Sequence, residues 1–296
     1  MSRVLLGGTH TSGLTANALV VSAHVPPPKF PPISSTSTQV LSDSVYLELI
    51  SFTHPVSYYP EGSPERKARE TNVWASKSPG WIDYAFLGNG SLIPGQRISD
   101  AINKRIGHPL YSPEAPAGRV RPDGKVLKWV LSSGPCDARG TLPFFCGDVT
   151  PRKWRVRITL TYALSRHFNN DMIRSHKQQV SPDPAHANHP STAQGIAYIR
   201  ILTSPQNFDK IISDLTGVIG DLPTTSSAEE ATWKLDTGHP QEERPSLILS
   251  SPTNAEEVEF VTQGGTGIHE VAFRVGNGKG GTEKTPYGKI RWVPDE

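Results

Sequence analysis

Glu48 is the residue whose placement most invites chemistry. It stands in the middle of Val45-Tyr46-Leu47-Glu48-Leu49-Ile50-Ser51-Phe52, a run otherwise suited to a pleated, buried surface. An ionised carboxylate buried alone costs several kcal/mol. Glu48 must therefore meet a metal or a cationic partner, stay protonated, or sit where the strand opens to water. Two readings stay open: a glutamate at an exposed edge or paired with an arginine, and a ligand or general base in a sheet-lined cavity.

Other residues could share such a cavity. Arg119 and Arg121 flank Val120 in Gly118-Arg119-Val120-Arg121-Pro122-Asp123-Gly124, where guanidinium forks could hold an anionic ligand or serve only a solvated turn or structural salt bridge. His10 follows Gly7-Gly8-Thr9, and a glycine pair lets backbone pass close to a ligand. Trp81, Trp129, Phe144 and Phe145 could line a site for a small aromatic or carbonyl compound, or simply fill the core.

The elements that must position these residues follow from the pattern. Residues 17–21, 45–52, 81–87, 125–131 and 142–146 have the β-branched, aromatic or alternating character of strands. Asn17 to Val21 and the strand around Glu48 would be hairpin neighbours. Pro64 opens a short charged helix, and Ser99-Asp100 can cap another through Ile106, whose Ile98, Ile102 and Ile106 share one face. Later come a strand from Ile196, an amphipathic helix from Asn207 to Val218, and strands at residues 231–236, 246–250, 268–275 and 289–293. The order strand, helix, several strands thus occurs twice, as in a divergent repeat. Two segments break the pattern. Residues 22–39 are rich in proline, serine and threonine and read as a disordered insert, and residues 157–179 read as a basic, weakly periodic insert.

Bulk properties narrow the function classes. With 27 prolines and 26 glycines in 296 residues, β-structure and loops should outweigh helix. A net charge of +2, from 30 basic and 28 acidic side chains, supplies no field to steer the chain toward nucleic acid. The two cysteines, Cys136 and Cys146, are too few for a disulfide framework or a zinc knuckle, so free thiols are expected. No apolar run reaches the roughly 20 residues of a membrane helix, and the expectation is a cytoplasmic protein without membrane partners.

The order of Gly7-Gly8-Thr9-His10, Tyr46-Leu47-Glu48-Leu49-Ile50, Gly80-Trp81-Ile82-Asp83, Gly118-Arg119-Val120-Arg121-Pro122-Asp123-Gly124 and Leu142-Pro143-Phe144-Phe145 resembles the glyoxalase-like domain family of the vicinal oxygen chelate superfamily, nearest a fungal branch. The resemblance implies an α+β fold of paired βαβββ modules whose curled mixed sheets surround a cavity. It divides the chain into a glyoxalase-like domain over residues 1–147, a linker over 148–194 and a C-terminal module over 195–296. It further implies a divalent metal held by His and Glu ligands, a small oxygenated substrate, and lyase, isomerase or dioxygenase chemistry. A non-catalytic small-molecule binding module without metal is the alternative. Modules of this superfamily also pair between chains, which makes a homodimer an expected partner arrangement. Glu48 matches a glutamate ligand on the last strand of the first module. The strand bearing the histidine ligand is expected before Gly7, which leaves the first module truncated. No histidine stands at Trp81-Ile82-Asp83-Tyr84 or Ile196-Ala197-Tyr198, and Phe144-Phe145 holds no carboxylate.

Overall fold

A computed structural model of the 296-residue chain describes residues 54–75, 77–78, 80–121, 123–151, 154, 193–236, 243–276, 280–285 and 288–294 with their side chains. It describes β1 (Ala16–Ser22), β2 (Ser37–Val40) and β3 (Tyr46–Ile50) as backbone strands. The chain continues through α1 (Pro64–Glu70), β4 (Gly80–Leu87), α2 (Ile98–Ile106), β5 (Ala115–Val120), β6 (Val126–Ser132) and β7 (Phe144–Asp148). The second half runs β8 (Ala193–Leu202), α3 (Pro205–Ile219), β9 (Thr225–Ser226), β10 (Glu230–Lys234), β11 (Ser246–Ser250), α4 (Ala255–Gly264), β12 (Gly267–Val275), β13 (Gly281–Thr285) and β14 (Gly288–Pro294).

These strands form two seven-stranded mixed sheets, in the orders β2-β3-β1-β4-β7-β6-β5 and β13-β14-β12-β8-β11-β10-β9. The two orders correspond strand for strand. In both, the central pair is antiparallel (β1·β4 and β12·β8) and is flanked on each side by a parallel pair and then by antiparallel ones. The expected repeat of βαβββ units is therefore present as β4 to β7 and β8 to β11. It also extends further than the sequence suggested, because β12 to β14 repeat β1 to β3.

The sheets share one apolar core. Tyr84, Phe86 and Phe145 of the first sheet and Ile199, Ile201, Trp233, Leu247, Leu249 and Val271 of the second belong to it, together with Ile98 and Ile102 of α2 and Phe208, Ile211, Leu215 and Val218 of α3. The 3.6-residue spacing of those helix positions explains why both helices bury one stripe. The buried hydroxyls find acceptors: Tyr84 donates to the Thr141 carbonyl at 2.9 Å and Tyr111 to the Pro143 carbonyl at 2.7 Å. The cost of hiding them is thereby offset.

Several expectations are corrected. β1 and β3 are parallel neighbours, and β3 makes its antiparallel ladder with β2. The parallel partner of the Glu48 strand is thus Ala16–Ser22, and the residues before Gly7, where a histidine-bearing strand is expected, lie outside the described residues. Ser22 and Ser37 to Gln39 belong to strands, and the rest of the 22–39 insert, like residues 157–179, lies outside the described residues. Gly118, Arg119 and Val120 are not turn residues but the end of β5, whose pairing with β6 overrides the weak strand propensity of its proline and glycine. β5 is an edge strand, where Pro116 is tolerated. Ser99 does not cap α2, which starts one residue earlier with Arg97 at its cap; the Ser99 hydroxyl donates to Glu114 Oε2 at 2.6 Å.

Leu215, fully buried on α3, tests whether this helix completes the shared core. Leu215→Ala should lower unfolding free energy by about 2–5 kcal/mol in chemical denaturation. A loss below about 1 kcal/mol would show that α3 is not seated as described.

Candidate functional site

Each sheet has one face on the core and one facing away from it, and the chemistry-bearing residues gather on the outer faces. In the first sheet, Val20 of β1 is the register partner of Glu48 on β3 and of Asp83 on β4. Register partners on adjacent strands share a face, so Glu48, Val20 and Asp83 form one row across three strands. The adjoining register pairs Ala85 with Phe144 on β7.

Asp83 is fully buried and heavily engaged. Its Oδ2 accepts from Trp74 Nε1 at 2.9 Å and stands 2.8 Å from Arg139 Nε; its Oδ1 accepts from the Tyr84 N–H at 3.0 Å. The Arg139 Nε–H is not aligned for a hydrogen bond, so that contact is an ion pair. The guanidinium also lies over the rings of Trp74, at 5.6 Å, and Phe144, at 4.6 Å. Burial pushes the Asp83 carboxyl up from its ordinary value, while Arg139 and Trp74 pull it back.

Local irregularity explains why Trp81 and Asp83, two residues apart, do not point the same way. Between Val20↔Asp83 and Ser22↔Gly80 the register shifts by an extra residue on β4. Such a bulge re-aims a side chain. Trp81 packs into the core against Phe273, and its indole donates to the Lys289 carbonyl at 3.1 Å, joining the halves.

The structure scatters the remaining candidates. Phe145 is buried in the core, edge-on to Phe86 and Tyr111. Phe144 is half-buried on the outer face beside Arg139. Trp129 is half-buried and lines a shallow depression of about 450 Å³ with Leu92, Ala117, Leu127 and Val149. Arg119 is exposed on edge strand β5. Arg121 is tied to Asp123 at 2.9 Å and to the Trp154 carbonyl at 2.6 Å, so its fork serves the turn. His10 and the Glu48 side chain lie outside the described residues.

The outer face of the second sheet holds a cluster that the sequence reading passed over. Glu270 on β12 is the register partner of both Arg200 on β8 and Lys289 on β14. Its Oε1 accepts a short hydrogen bond from the Tyr198 hydroxyl, and its Oε2 lies 3.3 Å from Lys289 Nζ. Arg200 turns instead to Glu257 of α4, with bonds of 2.6 and 3.3 Å, and to Ser250 Oγ at 3.1 Å. Burial alone would raise the Glu257 carboxyl, but hydrogen bonds from Arg200 and Thr253 outweigh it and hold it at about 2. A signal for α4 was present: Asn254 three residues before Glu257 is a cap pattern, and the Glu257 N–H does donate to Asn254 Oδ1 at 3.0 Å.

The glyoxalase-like domain profile matches residues 34–216, more than half of the chain. The chain belongs to the glyoxalase-like domain family. Among solved structures, a hypothetical protein from Staphylococcus aureus is 10% identical over 95% of this chain and 99% of its own, with a TM-score of 0.54, a likeness of fold. A mutant 4-hydroxymandelate synthase from Streptomyces coelicolor is 12% identical over 79% of this chain and 57% of its own, at 0.40. A methylmalonyl-CoA epimerase from Mycobacterium tuberculosis is 14% identical over 38% of this chain and 96% of its own, at 0.28. The last two scores are too low to carry an argument. No curated protein matches the chain significantly. Among the described residues no helix is long and apolar enough to cross a membrane.

Two predictions follow from the ion pairs. Arg139→Met leaves Asp83 buried without its cation and should cost about 3–5 kcal/mol in chemical denaturation; a loss under about 1 kcal/mol would mean the pair is not buried as described. For Glu257 the folded carboxyl lies at about 2 against an ordinary 4.5. The stabilisation is therefore complete above pH 4.5 and is lost as pH falls toward 2. Relative to Glu257→Gln, the wild type should lose about 2 kcal/mol across that window, after allowance for solvent screening. Parallel stability profiles for the two proteins would contradict this.

Proposed function

We propose that this glyoxalase-like protein binds a small oxygenated molecule on the outer face of its first sheet, with Glu48 as the proton acceptor. The observation that carries this reading is the register that sets Glu48, Val20 and Asp83 in one row. Family membership adds support, because the sheets of this fold curl around small ligands. Asp83 is committed to Trp74, Arg139 and the backbone, which leaves Glu48 as the row's remaining carboxylate. Phe144 lies in the adjoining position with the Arg139 guanidinium stacked over one face of its ring. The half-buried aromatic edge would help orient a carbonyl or aromatic compound while the carboxylate takes or returns a proton.

A divalent metal, which the fold family implies, does not fit the residues described. Both Asp83 oxygens already have partners, and among the described residues no group of three or more His, Cys, Asp or Glu side chains converges on a point. A hard cation needs several free oxygen or nitrogen donors.

The test is ligand-detected NMR on the whole protein, using catechol and phenylglyoxal as probes, beside elemental analysis. Saturable binding of either probe that weakens at least about tenfold in Glu48→Ala is the expected result. Binding equal in wild type and Glu48→Ala, or none, would overturn the site. Stoichiometric metal that disappears in Glu48→Ala would replace the reading with a metal centre.

A further inference from the structure

The core-side face of the first sheet runs on past the groups that cover it. Ser132 of β6 is the register partner of core residue Phe145, and Val130, one alternation further along, is still buried. Beyond it the same face continues as Lys128 and Val126, both exposed; the β5 partners of Val130, Lys128 and Val126 are Pro116, Gly118 and Val120 in turn. Gly147 of β7, across from Val130, has no side chain. A Cβ there would lie 2.3 Å from the Gly90 nitrogen, so the loop after β4 packs on this face and carries Leu92 to it. The result is the depression of about 450 Å³, with Leu92, Val126, Val130 and Val149 among its walls. Leu92, Ile93, Val120, Val126 and Val149 are five of the nine exposed large apolar side chains among the described residues, Val120 at 67%. Apolar groups gathered in the open mark a contact surface.

The backbone beside the depression is open as well. β5 ends its sheet, so among the described residues no strand pairs with its outer edge. The Arg121 N–H donates to the Lys125 carbonyl at 2.9 Å, which makes these two a hydrogen-bonded pair. Bonded and non-bonded pairs alternate along an antiparallel ladder, so Val120, Gly118 and Pro116 are non-bonded and turn their backbone groups outward. Proline has no N–H to give. The edge therefore presents two donors, from Gly118 and Val120, and the three carbonyls.

The charge around this edge has one sign. Lys128 stands in the depression, and Arg119 and Lys125 are exposed beside it; among the described residues none of the three makes an ion pair. The acidic groups nearby are engaged or turned away. Asp123 holds Arg121 at 2.9 Å, Asp100 accepts from the Gly95 N–H at 2.6 Å, and Asp148, the register partner of Trp129, belongs to the face opposite Lys128.

We infer that β5 and this depression are the docking site for an extended acidic segment of a partner protein. The segment adds to β5 as a further strand, with alternate apolar side chains in the depression and carboxylates against Lys128, Arg119 and Lys125. A second copy of this chain would bring the same three cations and another Pro116 to the edge, so charge selects an acidic partner. An edge kept single by charge alone would not hold Val120 and Val126 in the open.

Fluorescence anisotropy of the whole protein with a short, capped, labelled peptide of alternating valine and glutamate tests the site. The same peptide with lysine for glutamate, and one methylated at every backbone nitrogen, are the controls. Saturable binding of the glutamate peptide is expected, weaker as salt rises and at least about tenfold weaker in Lys128→Glu and in Val120→Asp, with both controls inert. Both substituted residues are exposed, so the variants should fold, as thermal melting will verify; the salt dependence and the controls on wild type decide the matter if either does not. Glu48→Ala should bind the peptide as wild type does, since the two sites lie on opposite faces. No saturable binding, equal binding of either control, an unchanged constant in either folded variant, or loss of binding in Glu48→Ala would each overturn the assignment. A wild-type dimer in sedimentation velocity that Val120→Asp turns into monomer would replace the acidic segment with a second copy.

Discussion

The antiparallel contact at the middle of each sheet is the constraint on which the rest of this structure depends. A βαβββ unit standing alone leaves its first strand with one unpaired edge, and unpaired backbone is costly to bury and open to association. In this chain β4 closes its edge with β1, and β8 closes its edge with β12. Those ladders fix the register of every strand outward from the centre. They consequently decide which residues share a row on the outer faces, and thus which charges meet.

Much of the fold could be read from the sequence because burial imposes a period. Trp81 to Leu87, Ile196 to Leu202 and residues 246–250 are strands by alternation or by continuous apolar character, and Phe208, Ile211 and Leu215 mark a helix face. Where hydrophobic burial does not dominate, the reading fails. β5 carries a proline and a glycine and is a strand only because β6 pairs with it, and α4 buries little beyond Glu257. Its cap pattern was the surviving signal.

The candidate sites were less legible, for a different reason. Glu48 announces itself as a charge in an apolar strand, but Asp83 acquires meaning only beside Arg139, which the chain brings to it from beyond two further strands. Likewise Tyr198 and Glu270 are unremarkable until the register of β8 against β12 sets them diagonally opposite, where the phenol hydroxyl reaches the carboxylate. Trp81 and Phe145, which look like cavity aromatics, are core residues; a bulge sends the first inward and simple alternation the second. Side-chain identity is local, whereas partnership across a sheet is set by register between distant segments.

The arrangement of the repeat along the chain carries a further consequence. The inner units, β4 to β7 and β8 to β11, are each continuous and close over short connections, while β1 to β3 and β12 to β14 are attached from opposite ends. Read in order, the chain is a palindrome of modules, outer, inner, inner, outer. Contacts inside an inner unit cost little loop-closure entropy, and the core between the two inner units can form before either end arrives. During synthesis β12 reaches β8 only after α3, three strands and α4 have been made, so until then the second sheet presents an open strand edge. That edge could equally accept β12 from another copy, which would give an exchanged dimer with the same hydrogen bonds as the monomer.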